Sequence, residues 1–361
     1  MRLLLYTRIF RLAGSGAEDY AVRLCQGLAS RGHELHVVAD EVSNVPSITT
    51  HTGTDNIEKI KYQVKPDLTI DWAFIAPADI HRMGSGVHAE FMKYSLDAYS
   101  GFARIYKKFR YQNKQHRQIS SRQHRLLTNP AAWFLPNSSF CAGQARAGGA
   151  NPERIITLHN GVDTKRFTAE TGNRSKLRTE WGLGDNDVAF LFIAHNLRLK
   201  NYSLLAKIFK QLEASQPDFK LLIAGKHAPR SMPENCRYIG KPADMPDAYH
   251  AADVLLHPTY YDSCANVVLE AMSSGLSVAV SNRCGADELI EHGKNGFVLP
   301  VTGEHHLVTE SWLSLIQQLG SDAQQRKFIG SRARKLMLQH DFDAYIDRFE
   351  SILLQLADDK Q

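Results

Sequence analysis

Asp262 and Glu270 are separated by seven residues in the stretch His257–Met272, which leads from an apolar strand through a polar turn into a helix stopping at Gly275. Cys264, Val267, Val268 and Ala271 follow helical spacing and face inward, which puts Ser263, Asn266, Glu270 and Ser274 on another face. A helix start offers unpaired backbone N–H groups and a positive dipole end, so this one suits a phosphate with a sugar beside it. Taken alone, the stretch has an ordinary explanation: Asp262 or Ser263 caps the helix and Glu270 lies on a solvated face. Ser263 keeps the capping role here.

Other residues add weight to the chemical reading. Arg198 and Lys200 lie just beyond one apolar strand and Gly225-Lys226 beyond another. In a parallel sheet such strand ends share one edge, so cations, carboxylates and a helix start converge there. Arg198 offers a planar fork and Lys200 a point charge, enough to neutralise a diphosphate. The backbone near Ala265, Asn266 and Val267 can hold the same phosphates. Glu270 can accept two hydroxyl hydrogen bonds, as a ribose diol offers, and Asp262 can do so for a sugar ring. There is no P-loop, no carboxylate cluster suited to Mg²⁺ and no His/Cys set suited to zinc, so no metal or other cofactor is expected. The chemistry implied is departure of a nucleoside diphosphate whose charge is stabilised by Arg, Lys and a helix end.

These residues need a scaffold of alternating strands and helices. Leu3–Thr7 reads as a strand, followed by a loop ending Gly14-Ser15-Gly16, a helix closed by Gly32, and a second strand Leu35–Ala39. Asp67–Asp71 reads as a further strand, and residues 79–87 as a loop with Gly84-Ser85-Gly86 before His88. His88 is a candidate site residue, although a lone His is as often structural. Residues 155–163 read as a strand ending in a turn. The polar, glycine-containing run 165–184 reads as the linker to a second α/β half, which closes with helices at 322–340 and 343–358. The resulting division is an N-terminal domain 1–168, a second domain 169–342 and a terminal helical segment 343–361.

The bulk numbers read as a soluble, globular chain long enough for two domains. The chain has 361 residues, 43% hydrophobic and 22% charged, with no apolar run long enough for a transmembrane helix. Five scattered cysteines fit a reducing cytoplasm better than a disulfide framework. The charge is uneven. Residues 98–152 hold no acid and nine cations: Arg104, Lys107, Lys108, Arg110, Lys114, Arg117, Arg122, Arg125 and Arg146. Without them the net +5 becomes −4. Phe102, Ile105, Tyr106, Phe109 and Tyr111 interleave with these cations. No Pro or Gly interrupts 102–127, so one helix with a basic and an aromatic side is expected. It would suit an anionic bilayer surface at about 1 kcal/mol per cation. The same electrostatics would suit nucleic acid or a phosphorylated acceptor.

The combination resembles the retaining glycosyltransferases of family 4. It comprises Gly-Ser-Gly near residue 15 with Arg31-Gly32-His33-Glu34; His159-Asn160-Gly161-Val162-Asp163 with Arg166-Phe167; Arg198 with Lys200; Asp262 with Glu270-Ala271-Met272; Gly275; and Gly285 with Glu288 and Asn295-Gly296. His257-Pro258, Met83–His88 and the basic aromatic segment make the chain most similar to the lipopolysaccharide core glucosyltransferase I group. The resemblance implies an α/β GT-B fold, two Rossmann-like domains facing across a cleft, with the last helix crossing back to the first domain. It implies a UDP-sugar donor, commonly UDP-glucose, and a lipopolysaccharide-core or related glycolipid acceptor. It also implies a cytoplasmic protein peripheral to the inner face of the membrane, with no nucleic-acid partner. By position, Glu270 would bind ribose, Asp262 the donor sugar and Arg198 with Lys200 the diphosphate, while Gly16 closes over it. His88 would lie near the reacting sugar, and the departing phosphate would take the acceptor proton. The sequence departs from the family where Asp262 replaces Glu and where Ala265 and Asn201 replace glycines, which bears on the donor sugar. A non-hydrolysing sugar-nucleotide epimerase on a similar fold is one alternative. An RNA-binding protein with a vestigial cleft is another, and the intact Arg198, Lys200 and Glu270 argue against it.

Overall fold

A computed structural model describes residues 1–11, 16–170 and 173–360. The chain divides into two compact units. The first comprises Met1–Met92, Lys108–Gly161 and Phe342–Gln361; the second comprises Lys93–Lys107 and Val162–Asp341.

The first unit is built on six parallel strands: β1 (Arg2–Tyr6), β2 (Glu34–Ala39), β3 (Ile48–Thr52), β4 (Leu68–Asp71), β5 (Ile80–Met83) and β6 (Trp133–Pro136). Their spatial order is β3-β2-β1-β4-β5-β6, that of a doubly wound nucleotide-binding sheet. Strand β1 reads as a continuous apolar run because both of its faces are covered. Leu3 and Leu5 join one core cluster, Leu4 and Tyr6 the other. The helices up to residue 161, in chain order, are α1 (Gly16–Ser30), α2 (Ile57–Val64), α3 (His88–Ser95), α4 (Gly101–Arg110), α5 (Lys114–Leu127) and α6 (Ser139–Ala147), of which α4 lies mostly in the Lys93–Lys107 segment of the second unit. Gly14 and Ser15 of the glycine loop lie outside the described residues.

Three local expectations are corrected. The stretch 79–87 is not all loop, because it contains β5. His81 and Arg82 disguise that strand as polar, yet all four of its residues are buried. His81 bonds Asp71 at 3.1 Å, while Arg82 donates to Leu135 O, Leu158 O and the Asn160 side chain. Residues 155–163 form no strand, only isolated bridges of Ile155 with Phe134 and of Val162 with Asp341. The basic segment is two helices, α4 and α5. It breaks at Tyr111–Asn113 because the Asn113 side chain caps α5 by accepting from the His116 N–H at 2.9 Å.

The second unit repeats the plan with β7 (Val188–Ile193), β8 (Phe219–Ala224), β9 (Cys236–Gly240), β10 (Val254–His257), β11 (Ser277–Ser281) and β12 (Phe297–Leu299). These are again all parallel, in the order β9-β8-β7-β10-β11-β12. Its helices are α7 (Arg174–Glu180), α8 (Tyr202–Leu212), α9 (Met245–Ala251), α10 (Asn266–Ser273), α11 (His305–Ser321) and α12 (Ala323–Met337). The run 165–184 therefore contains a helix rather than a plain linker.

The last helix, α13 (Phe342–Asp358), belongs to the first unit. Tyr345, Ile346, Phe349, Leu353 and Leu356 bury one stripe of it in the cluster that holds Leu24 and Leu28 of α1. A Cβ at Gly27 of α1 would lie 2.3 Å from Ile346 Cδ1, so glycine permits this approach. Arg31 pairs with Asp347 and Glu350, His33 with Glu350 at 2.7 Å, and Glu34 with Arg2 at 2.8 Å. Arg31 and His33 of this motif thus anchor the terminal helix, while Glu34 ties to β1. Among the described residues, no helix is long and apolar enough to cross a membrane.

Candidate active site

The site residues of the second unit follow from where its strands end. Strands β7, β8, β10 and β11 all release their chains at one edge of the sheet, so residues 194–201, 225–226, 258–265 and 282–285 emerge together. Two of these loops are stitched directly: the Tyr260 N–H donates to Leu199 O at 2.9 Å, and the Thr259 hydroxyl to the same carbonyl at 3.3 Å. Gly225 is required by close approach, since a Cβ there would stand 2.1 Å from Ala194 O. Lys226 beside it is exposed.

At the centre lies Asp262. Its Oδ2 accepts from Lys200 Nζ and, at 3.2 Å, from His257 Nε2, while Oδ1 accepts from the Ala265 N–H at 2.9 Å. Burial alone would raise this carboxyl's pKa. The Lys200 charge and the bonds from His257 and Lys200 outweigh that and hold it below the usual carboxylate range. His257 is buried, at 1% exposure. Burial, then the Lys200 cation, push its pKa down, so the ring is neutral and Nε2 carries the proton given to Asp262. The His257 Nδ1 has no hydrogen-bond partner among the described residues. The sequence presents His257 only as part of a motif, not as the partner of Asp262.

Helix α10 starts two residues later than a Ser263 cap requires. Its N-cap is Ala265, in the left-handed conformation at φ 54°, and no side chain caps it. The capping role expected of Ser263 is corrected, and it is Asp262 that binds the turn's backbone. Asn201, at the start of α8, is also left-handed, at φ 60°. Both departures from the family's glycines therefore sit where glycine is the relaxed residue. They concern backbone conformation, and no donor contact need be invoked. Asn266 and Val267 are the first two residues of α10.

Glu270 is half-buried on α10, and its Oε2 accepts a 2.6 Å bond from the hydroxyl of Tyr249 in α9. Burial, then the nearby Glu270 charge, push the Tyr249 phenol well above its ordinary range, so it remains a donor. No periodicity in the sequence points to Tyr249, because a buried tyrosine on a short helix reads as core.

Arg198 is exposed, and its guanidinium lies 4.8 Å from the ring centre of Tyr99. Tyr99 belongs to the segment 93–107, which packs within the second unit. There Tyr94 stacks on Tyr261 at 5.9 Å, and Arg283 lies 4.6 Å over Tyr94. This aromatic contribution is not legible locally, since the segment is distant in sequence from everything it touches.

Gly16 and His88 belong to the first unit. Gly16 opens α1. His88 opens α3, where its N–H donates to the Gln123 side chain at 2.7 Å and its Nε2 shares a 2.8 Å bond with His116 Nδ1 of α5. Burial, then His116, lower its pKa. Of the surface cations, Arg104 pairs with Asp97 at 3.1 Å, while Lys108, Arg110, Lys114 and Arg117 are exposed.

Residues 173–336 match the family model of glycosyl transferases group 1. Among curated proteins, a D-inositol 3-phosphate glycosyltransferase of Pseudarthrobacter chlorophenolicus is 28% identical over 228 residues, covering 58% of this chain and 52% of that one. Spore coat protein SA of Bacillus subtilis is 25% identical over 205 residues, covering 50% and 52%. The chain thus spans about half the length of the curated relatives it matches. Among solved structures, WaaG, a glycosyltransferase involved in lipopolysaccharide biosynthesis, superposes with a TM-score of 0.78 at 16% identity, covering 97% of this chain and 99% of that one. Anabaena HepE, solved in complex with UDP, superposes at 0.76 and 16% identity, covering 98% and 100%. Two parallel sheets of identical strand order, matched to such structures along nearly the whole chain, make this a GT-B fold, whose second unit carries the match to glycosyl transferases group 1.

Proposed function

We propose that the protein is a retaining hexosyltransferase that moves a sugar, glucose in our reading, from a UDP donor to a lipopolysaccharide-core or related glycolipid acceptor. The observation that carries this is the Asp262–Lys200–His257 cluster, set beside the start of α10 with Glu270 one turn along it. A nucleoside diphosphate laid on this edge would meet Arg198, Lys200 and the first amides of α10, with Gly225 and Lys226 alongside. As the sugar departs, charge grows on the β-phosphate, and cations already fixed in place stabilise it without reorganising. Asp262 anchors Lys200 for that purpose. About four acceptor positions exist on a carboxylate and three are used, so one on Oδ1 remains for a donor-sugar hydroxyl. Glu270 would take the ribose diol. Gly16 and His88 are assigned to the donor phosphates and the reacting sugar, and the acceptor proton passes to the departing phosphate. No step is assigned to a metal ion.

UDP as the nucleotide is supported by the fold neighbour that holds it. A glycolipid acceptor at an anionic membrane surface is supported by α4, where Phe102, Ile105, Tyr106 and Phe109 are 81%, 67%, 54% and 72% exposed and cations flank them. The test is mass spectrometry of products from a panel of sugar nucleotides with a lipopolysaccharide-core acceptor. A single hexose added to the acceptor is expected from UDP-glucose. An isomerised free sugar nucleotide, formed without acceptor, would sink the transferase reading in favour of an epimerase.

A further inference from the structure

The Arg166-Phe167 motif and the fully buried Tyr249 have no part in the chemistry above, yet both lead to Glu270. The Tyr249 ring is 0% exposed and meets Phe167 edge-on, with centroids 5.8 Å apart and planes at 73°. Phe167 is itself fixed. Its carbonyl accepts from the Ser273 hydroxyl at 2.6 Å and from Arg334 Nη1 at 2.6 Å, and the Arg166 guanidinium lies 5.3 Å from its ring centre. Arg166 in turn bonds Asp244, the residue preceding α9, at 2.7 Å. Both ends of the brace are therefore held, by α9 on one side and by the last residue of α10 on the other. Only the hydroxyl of Tyr249 reaches a group that is not core, Glu270 Oε2 at 2.6 Å.

We infer that Tyr249 is a positioning residue that orients the Glu270 carboxylate for a ribose diol, with Phe167 as its brace. This rests on the reading of Glu270 as the ribose ligand. A glutamate on a helix surface turns freely about its last bond. A buried phenol that can only donate takes one lone pair of Oε2 and fixes the carboxylate plane. The geometry of the diol's two hydroxyls is then met by one rigid group instead of a mobile one, which lowers the ordering cost of binding.

The test uses Tyr249→Phe, which keeps the ring against Phe167 and removes only the hydroxyl. UDP and 2′,3′-dideoxy-UDP are titrated by calorimetry, and donor KM and kcat are measured. Loss of a hydrogen bond to a charged group is expected to weaken UDP about tenfold and raise donor KM in step. The dideoxy analogue should be affected less than twofold, and kcat should stay within about twofold because the reacting sugar is untouched. A purely structural Tyr249 would weaken both nucleotides alike, and that result overturns the inference. If Glu270→Ala binds UDP as the wild type does, the ribose reading itself is wrong. If Glu270→Ala loses UDP while Tyr249→Phe keeps both its affinity and its ribose discrimination, only the present inference fails. Should Tyr249→Phe not fold, Phe167→Leu loosens the same brace from its far side. It is expected to give the same ribose-selective loss, on the order of twofold; an unselective loss or none overturns the inference.

Discussion

Helices α10 and α4 both carry residues suited to a ligand, and they prepare for it in opposite ways. Five of the eight residues of α10 are buried, and the charges around its start are already bonded to one another. No residue of α4 is buried, it contains no acid, and its aromatic side chains stand in the open. The first arrangement holds charges in fixed positions before anything binds, as stabilisation of a developing negative charge requires. The second buries none of its residues, and its exposed aromatic face suits a surface laid against it. A small, precise ligand suits the first, and an extended, ill-defined one suits the second.

Breaking the buried charge pair should have the largest effect. Lys200→Met leaves Asp262 with His257 and one amide in a poorly solvated site, and a cost of about 3–5 kcal/mol is expected in denaturant unfolding. Adding Asp262→Asn should recover most of it, and a double mutant no more stable than Lys200→Met would mean that the pair is not coupled. The pH dependence sharpens this. With its pKa held low, wild-type Asp262 contributes fully above about pH 4 and loses that contribution as pH falls further. In Lys200→Met burial dominates and raises the same pKa above its unfolded value, so the variant should gain stability as pH falls through that raised value toward about pH 4. The gap in Tm between the two should narrow from pH 7 to pH 4.

The surface helix is tested by reversing Lys107, Lys108 and Arg110 to Glu. At about 1 kcal/mol per cation, the triple change should weaken binding to anionic vesicles by two orders of magnitude or more. Stability should hardly change, because α4 buries nothing. Vesicle binding that survives the change, or a collapse in Tm, would remove the contrast with α10. The smallest effects belong to the left-handed positions. Ala265→Gly should stabilise by about 1 kcal/mol, because the Cβ is strained there. Asn201→Gly should change stability by only a few tenths of a kcal/mol, since asparagine tolerates that conformation.

The apolar strands of the second sheet and α10 were legible in the sequence because buried parallel strands read as apolar runs and α10 keeps helical spacing, whereas β9, with four of its five residues only partly buried, was not. Strand β5 was not, since His81 and Arg82 are buried with hydrogen-bond partners and look like loop residues. The break at Tyr111–Asn113 was hidden by the absence of Pro and Gly, its cause being a single capping asparagine. Tyr249, Tyr94 and Tyr99 act across long sequence separations, and no local pattern announces such contacts. The Ala265 and Asn201 departures were visible, but only their φ values show that they are matters of backbone.

The central claim is that the strand edge around α10 binds a nucleoside diphosphate through Glu270. The most direct test is the melting temperature of wild-type and Glu270→Ala protein with and without UDP. The variant leaves the buried Tyr249 hydroxyl unpaired, so it should start about 1–3 kcal/mol less stable yet remain folded. UDP at about 100 times its Kd should add about 2.7 kcal/mol to the wild type and nothing measurable to the variant at the same concentration. No shift in the wild type with any nucleoside diphosphate, or an equal shift in both proteins, would contradict the claim.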